Sequence, residues 1–273
     1  MDLGPTVVGG WSVEGGFLTS GARGPVTPAE LAVVAESLAG RPPADVLAWA
    51  ARRFPGRVVF ATGFGAEGCV LIDVIARHRL PIDLVTVDTG LLFDETYELW
   101  RRLEERYGIV IHAVRPEQTV HEQAQVHGDR LWERDPDRCC ALRKLSPLKA
   151  LLAGREAWVT AIRREQTQLR AQASVIEVEP LHGLVKVNPL LGWTSAEVAA
   201  YVRAHDVPVN PLHERGYPSI GCAPCTSPVA PGEDPRAGRW RGREKTECGL
   251  HVRRPSPPTQ PSLAADRMEA SAP

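Results

Sequence analysis

Four of the six cysteines fall into two close pairs. Cys139 and Cys140 are adjacent, and Cys222 and Cys225 form a C-x-x-C. Four thiolates can close a tetrahedral sulfur site that suits zinc or an iron–sulfur cluster, and spacing alone leaves these two even. An adjacent pair is an unusual donor, because neighbouring side chains diverge unless the backbone bends to aim both at one centre. Cys248 stands apart in the segment Lys245-Thr246-Glu247-Cys248-Gly249-Leu250-His251. A lysine before it and an imidazole after it favour the thiolate, so Cys248 reads as a redox or nucleophilic cysteine or, equally, as a loop cysteine without a role. Cys69 lies inside the apolar run CVLIDVI and reads as core.

Other polar groups could serve these thiols. The turn Thr62-Gly63-Phe64-Gly65-Ala66-Glu67-Gly68 follows a β-branched run and opens a helix, where backbone N–H groups can cradle an anion. It is neither the dinucleotide fingerprint nor the lysine-bearing phosphate loop. Asp88-Thr89-Gly90 ends a second run, and Asp88 could hold a ribose or a base amine, or cap its own turn. Arg163 and Arg164 follow a third run, with Arg170 beyond them, and Arg236 and Arg239 lie in EDPRAGRW. Arginines at strand ends or on loops suit the clamping of phosphate or sulfate. Taken singly, each fits a solvated charged surface better.

The elements that must position these groups follow from hydrophobic period. Pro28 to Phe54 carries apolar residues at helical spacing, broken at Gly40 to Pro43, and predicts two helices. Strands are predicted over Arg57–Thr62, Ile82–Val87, Ile109–Val114, Ala157–Ala161 and Leu184–Val187. Helices are predicted over Cys69–Arg77, Asp94–Tyr107 and Thr194–Ala204, the last capped by Thr194 or Ser195. This alternation predicts an α/β fold with a mostly parallel sheet and helices on both faces, with ligands at the carboxyl ends of the strands. Residues 1–27 read as a loose leader, 28–225 as the α/β domain, 226–252 as a mobile catalytic segment and 253–273 as a disordered tail rich in Pro and Ser.

Composition narrows the function classes. The chain has 273 residues, 24% of them charged, with a formal net charge of −1, which gives no sign of a nucleic-acid or membrane partner. The N-terminus lacks a basic region followed by an apolar run, and no apolar stretch reaches the ~18 residues of a membrane span. A cytoplasmic location is therefore expected, where cysteines serve metals or catalysis before disulfides.

Together, FGAEGCVLIDVI, TVDTGLLFDETY, DRCCALRKLSPLKALLAGREAWVTAIRREQT, HERGYPSIGCAPCT, RAGRW and KTECGLH resemble the assimilatory adenylyl-sulfate (phosphosulfate) reductases, a branch of the PP-loop adenosine-nucleotide family. The resemblance runs from about Thr62 to His251 in family order. It implies a PP-loop adenine-nucleotide hydrolase-like fold and a 4Fe–4S cluster on Cys139, Cys140, Cys222 and Cys225, with Lys144 beside cluster and substrate. It further implies that Thr62, Gly63, Gly65 and Glu67 hold the phosphate end of the nucleotide and Asp88, Thr89 and Gly90 the nucleoside side. Arg163, Arg164, Arg170, Arg236 and Arg239 would surround the phosphosulfate, and Cys248 would be the nucleophile. One departure is the first turn, where many members read S-F-S-G-A-E-D and this chain has a single hydroxyl, at Thr62. Its phosphate contacts must then rest more on backbone N–H groups.

The activity so implied is reduction of adenosine 5′-phosphosulfate to sulfite and AMP through a Cys248 S-sulfonate. Thioredoxin or a glutaredoxin-like protein would resolve it, in assimilatory sulfate reduction and cysteine biosynthesis, and a homo-oligomer is compatible. Alternatives are an enzyme that acts on the 3′-phosphorylated nucleotide or on both, a PP-loop tRNA-thiolating enzyme and a zinc-ribbon module. The four paired cysteines favour the unphosphorylated nucleotide. Absence of an SGGxD loop and a near-zero net charge disfavour tRNA thiolation, and a zinc ribbon leaves Cys248 unexplained.

Overall fold

Capping chemistry sets the first helix. The Thr27 hydroxyl accepts the Glu30 N–H at 3.2 Å while the Glu30 carboxylate accepts the Thr27 N–H at 2.7 Å, and Pro28 pre-sets the first turn. The computed structural model describes residues 26–245 and 247–249, and before them the backbone of three short strands.

Those strands are β1 (Val7–Val8), β2 (Trp11–Glu14) and β3 (Phe17–Ser20), an antiparallel set in which Glu14 pairs with Phe17 across Gly15-Gly16. These paired strands give the expected loose leader some regular structure. The tail expected to be disordered, residues 253–273, lies outside the described residues.

Helices α1 (Pro28–Leu38) and α2 (Pro43–Arg53) precede the main sheet. Strand β4 (Val58–Thr62), α3 (Ala66–Arg77), β5 (Asp83–Val87), α4 (Asp94–Tyr107) and β6 (His112–Val114) then alternate as expected. Four short helices follow, none of which the sequence pattern suggested: α5 (Val120–His127), α6 (Leu131–Arg134), α7 (Pro136–Cys140) and α8 (Ser146–Leu152). Between α7 and α8 the chain widens into a π turn, Ala141–Leu145. Beyond β7 (Ala157–Val159) come α9 (Gln168–Ala171), β8 (Ile176–Glu179), β9 (Leu184–Val187) and α10 (Ser195–His205), capped by Thr194.

The six-stranded sheet runs β6-β5-β4-β7-β9-β8, parallel throughout except that β8 pairs antiparallel with β9. The chain moves outward from β4 through β5 to β6 and then returns to place β7 on the other side of β4. This reversal opens a crevice at the carboxyl ends of β4 and β7. Side chains of β4 serve two cores. Val58 and Phe60 pack with residues of α1 to α4 and α10, whereas Val59 packs with Leu148 and Leu152 of α8, Trp158 and Leu184. Helices thus cover both faces. Fully buried Leu47, Leu71 and Ile72 each contribute roughly 1.5–3 kcal/mol of hydrophobic stabilisation. Among the described residues no helix is long and apolar enough to cross a membrane.

Candidate active site

The turn after β4 is shaped by two close approaches. Thr62 Oγ1 accepts the Phe64 N–H at 3.1 Å, and a Cβ on Gly68 would lie 2.7 Å from the same oxygen. Phe64 takes a left-handed φ of 58° and buries its ring against Trp100, with centroids 5.6 Å apart. Gly65 then caps α3, whose first N–H groups open at the crevice. Cys69 is core, as expected; burial, and then Glu67, push its thiol pKa well up.

Glu67 reaches across the crevice instead of into it. Its Oε1 takes Arg163 Nε at 2.7 Å and Gln166 Nε2 at 3.0 Å. Arg163 also donates to Glu165 and, at 3.1 Å, to Ser195 Oγ. Buried and fully partnered, Arg163 is a strut between the two sides of the sheet reversal. Arg164 turns to the Ala173 carbonyl at 3.4 Å.

At the end of β5, Asp88 caps its own turn by accepting the Gly90 N–H at 3.0 Å. It also accepts Tyr97 Oη at 2.7 Å and Arg115 Nε at 3.0 Å. Burial would raise its pKa, but these three donors outweigh burial and hold the carboxyl below the usual range. Thr89 faces the other way, its hydroxyl 3.3 Å from Cys222 Sγ. Gly90 has φ +67°, and a Cβ there would press on Arg143 at 3.3 Å.

The two cysteine pairs meet. Cys139, Cys140, Cys222 and Cys225 line one small cavity, together with Leu91, Trp132, Arg143 and Lys144. Asp135 starts α7 by accepting the Arg138 N–H at 2.8 Å, and the π turn follows Cys140 directly. This widening is the backbone irregularity that an adjacent pair demands. The second pair sits on the 3-10 turn Ala223–Cys225, fixed by Ala223 N–H to Leu91 O at 2.8 Å. Burial, followed by the neighbouring thiols, pushes Cys139 up to about 11, and burial then Cys222 does the same for Cys225. A single zinc needs its sulfurs about 2.3 Å from one point. Among the described residues no three His, Cys, Asp or Glu side chains gather closely enough for one ion.

Arg143 is the residue that the sequence reading missed here. Its side chain is buried, with Nε donating to Thr89 O at 2.5 Å and Nη1 to Gln118 O at 3.2 Å and Gln123 Oε1 at 3.1 Å. A buried, hydrogen-bonded guanidinium beside four thiols offsets their charge. Burial works against the charged amine of Lys144, but the facing thiols of Cys222, Cys248 and Cys140 outweigh it and raise its pKa.

Residues 226–245 fold back on the cysteine turn. Thr226 bridges to Arg239, Ser227 N–H donates to Gly238 O at 2.9 Å and Trp240 N–H to Cys225 O at 3.0 Å. Arg239 stacks on Trp240 at 4.7 Å, and its Nη1 lies 3.3 Å from Ser219 Oγ and the Ile220 carbonyl. The guanidinium passes so close to Gly221 that a Cβ there would sit 2.2 Å from Nη2. Arg170 and Arg236 meet on one carboxylate, that of Glu247, at 3.1 and 3.2 Å. Cys248 follows, half-buried, within electrostatic reach of Lys144, Arg170 and Arg239. Gly249, at φ +89°, brings its backbone against Leu145 of the π turn, where a Cβ would lie 3.3 Å from that side chain. His251 lies outside the described residues.

The structure therefore gathers Cys139, Cys140, Lys144, Cys222, Cys225, Arg170, Arg236, Arg239 and Cys248 around one end of the sheet. Thr62, Gly63, Gly65 and Asp88 to Gly90 lie on the strand-end turns. It turns the side chains of Glu67, Arg163 and Arg164 to protein partners. Glu247 was also missed, although its place beside Cys248 was visible; the distance to Arg170 along the chain hid the pairing.

Residues 57–228 match the model of the phosphoadenosine phosphosulfate reductase domain. Over 208 residues the chain is 48% identical to adenosine 5′-phosphosulfate reductase of Halalkalibacterium halodurans, covering 76% of this chain and 90% of that protein. It is also 48% identical to adenosine 5′-phosphosulfate reductase 1 of Bacillus subtilis, covering 76% and 89%. Among solved structures, phosphoadenylyl-sulfate reductase from Candida auris, a phosphate complex, superposes with a TM-score of 0.67 at 34% identity, covering 76% of this chain and all of that one.

Proposed function

The chain belongs to the phosphoadenosine phosphosulfate reductase domain family, and on that premise we propose that it reduces adenosine 5′-phosphosulfate to sulfite and AMP with Cys248 as nucleophile. The observation that carries the proposal is the position of half-buried Cys248 between Glu247, which pairs with Arg170 and Arg236, and Gly249, which packs on Leu145 next to Lys144. The choice of the unphosphorylated nucleotide rests on the relatives named for it and on the two cysteine pairs.

The nucleotide lies along the strand-end turns. Backbone N–H groups of Gly63, Gly65 and Ala66 face its phosphate, with Thr62 holding the turn in shape through the Phe64 N–H, and the turn from Asp88 to Gly90 faces its nucleoside. Arg163 and Glu67 act by holding the two sides of the crevice at fixed spacing. Arg170, Arg236, Arg239 and Lys144 neutralise the phosphosulfate. The Cys248 thiolate forms a bond to the sulfate sulfur, the bond from that sulfur to the bridging oxygen breaks, and AMP leaves with the electron pair. Arginine and lysine stabilise the charge that develops on the leaving phosphate. A thiol of a dithiol donor, such as thioredoxin or a glutaredoxin-like protein, then attacks Cys248 Sγ. The sulfur–sulfur bond of the S-sulfonate breaks and sulfite leaves with its electrons. The donor's second thiol closes its own disulfide and restores Cys248, so two electrons pass from donor to sulfur. The segment that carries Cys248 must move for one thiol to meet both partners in turn. The product feeds assimilatory sulfur metabolism and cysteine synthesis, in the cytoplasm.

Cys139, Cys140, Cys222 and Cys225 would hold a 4Fe–4S cluster. Support comes from an all-thiol donor set arranged around one cavity, with Arg143 and Lys144 at its wall. Such a cluster would supply a fixed electrostatic environment beside the substrate.

The test is a rate assay on anaerobically purified protein, with iron and sulfide quantified. It compares adenosine 5′-phosphosulfate with its 3′-phosphorylated form, with thioredoxin, for wild type and Cys248→Ser. Sulfite release from the unphosphorylated form, about four irons per chain and loss of turnover in the variant are expected. Turnover surviving in Cys248→Ser would remove the nucleophile, and zinc in place of iron would remove the cluster.

A further inference from the structure

Glu247 occupies the place where an anion should be. Its side chain is only 7% exposed, and it spans Arg170 Nη2, at 3.1 Å from Oε1 and 3.2 Å from Oε2, and Arg236 Nη2, at 3.2 Å from Oε2. Arg170 belongs to α9 in the body of the domain; Arg236 belongs to the folded-back segment. One carboxylate therefore fastens the segment to the domain. Yet it under-fills its surroundings. Arg239 and Lys144 stand nearby with no acidic partner among the described residues. The Nε–H groups of Arg170 and Arg239 are buried there without an acceptor, and Glu247 Oε1 itself accepts no hydrogen bond, so the carboxylate fits these donors poorly. Buried charge-bearing donors without acceptors are costly, and several around one spot mark a site built for a more highly charged anion with more oxygens.

We propose that Glu247 is a stand-in counter-ion that the phosphosulfate of the substrate displaces, and that its displacement releases Cys248 for attack. The inference rests on the reading above that these arginines hold the phosphosulfate. A carboxylate brings one negative charge and two oxygens; a phosphosulfate brings two charges and five unbridged oxygens to the same donors. Glu247 and Cys248 are consecutive, so a carboxylate that leaves its arginines frees the thiol to turn toward the sulfur then held there. An open cavity of about 500 Å3, bordered by Gln166, Arg236, Arg239, Lys245 and Glu247 itself, gives the displaced side chain room. Glu247 thus acts as a positioning residue. It keeps the arginines in place and the nucleophile docked until the nucleotide arrives, so the reactive thiol is exposed chiefly when there is something to react with.

The sign of one effect separates this role from a structural one. In the holoprotein carrying Cys248→Ser, which cannot turn over, the dissociation constant of adenosine 5′-phosphosulfate is measured by calorimetry with and without Glu247→Gln. Removing a competing occupant raises the fraction of competent sites, and the constant should fall about tenfold. A merely structural loss would raise it. With Cys248 intact, Glu247→Gln should also let iodoacetamide alkylate Cys248 faster in the absence of nucleotide, read by mass spectrometry of that peptide. Glu247→Asp, which keeps the charge but shortens the reach, should fall between the two and covers the case in which the amide variant folds poorly. Unchanged or weaker affinity in Glu247→Gln, with Arg170→Ala weakened, overturns displacement and leaves the arginine site standing. Unchanged affinity in Arg170→Ala overturns the arginine reading itself.

Discussion

Thr89 lies with its hydroxyl 3.3 Å from the sulfur of Cys222, so the nucleoside-side turn and the cysteine cavity share an atom contact. The same residue offers its carbonyl to Arg143 at 2.5 Å. The turn after β5, the guanidinium and the thiols form one connected unit.

Thr89→Val keeps the shape and removes the hydroxyl. Partners that orient metal ligands typically change metal affinity by 10–100-fold. Iron release to a chelator should quicken by about tenfold in the variant. Iron release at the wild-type rate would show that the hydroxyl does not support the sulfur.

Arg143→Ala strands three acceptors, Thr89 O, Gln118 O and Gln123 Oε1, in the interior. A loss of about 3 kcal/mol is expected on unfolding by denaturant. Arg143→Lys should recover only part of it, because an ammonium cannot reproduce the planar fork.

Two glycines of the catalytic region should fail differently. In Gly221→Ala the new methyl meets the tip of a flexible side chain, Arg239, which can move away. The fold survives and KM should rise by about tenfold, the equivalent of one charge-assisted hydrogen bond. In Gly238→Ala the methyl meets the Ser227 carbonyl at 2.0 Å, which is backbone. The folded-back segment should detach, and limited proteolysis between residues 226 and 245 should accelerate. Equal proteolysis of the two variants would contradict this division.

Tyr97 gives a pH signature. Burial, and then the bond to Asp88, push its hydroxyl up to about 12 from an ordinary value of 10.0. The folded state therefore favours the protonated phenol. That contribution is complete below pH 10 and is lost as pH rises toward 12. Tyr97→Phe should lower stability at neutral pH and flatten its decline across this alkaline window. Melting curves at several pH values would read both effects.

Local signals carried much of the fold. Helix α4 and strand β9 stand where the hydrophobic period put them, and Thr194 caps α10. The helices between β6 and β7 were hidden because α6 and α7 are shorter than two turns and cannot show a period. Strand β8, IEVE, alternates with charge at the sheet edge and was masked by its brevity. In the site, the cysteines were legible because sulfur is rare and paired. The roles of Arg143 and Glu247 were not, because each depends on partners distant in sequence, Gln118 to Thr89 for the one and Arg170 for the other.

Everything from Ala141 to Gly221, including β7, β8, β9 and α10, lies between the two cysteine pairs. Whatever grips both pairs also ties the ends of a loop that holds half the main sheet. By analogy with a covalent cross-link of that span, tying it removes chain entropy from the unfolded state worth on the order of 4 kcal/mol. Oxidative damage at the four thiols would then be felt as a loosening of the whole β7 side of the molecule, well beyond the site itself.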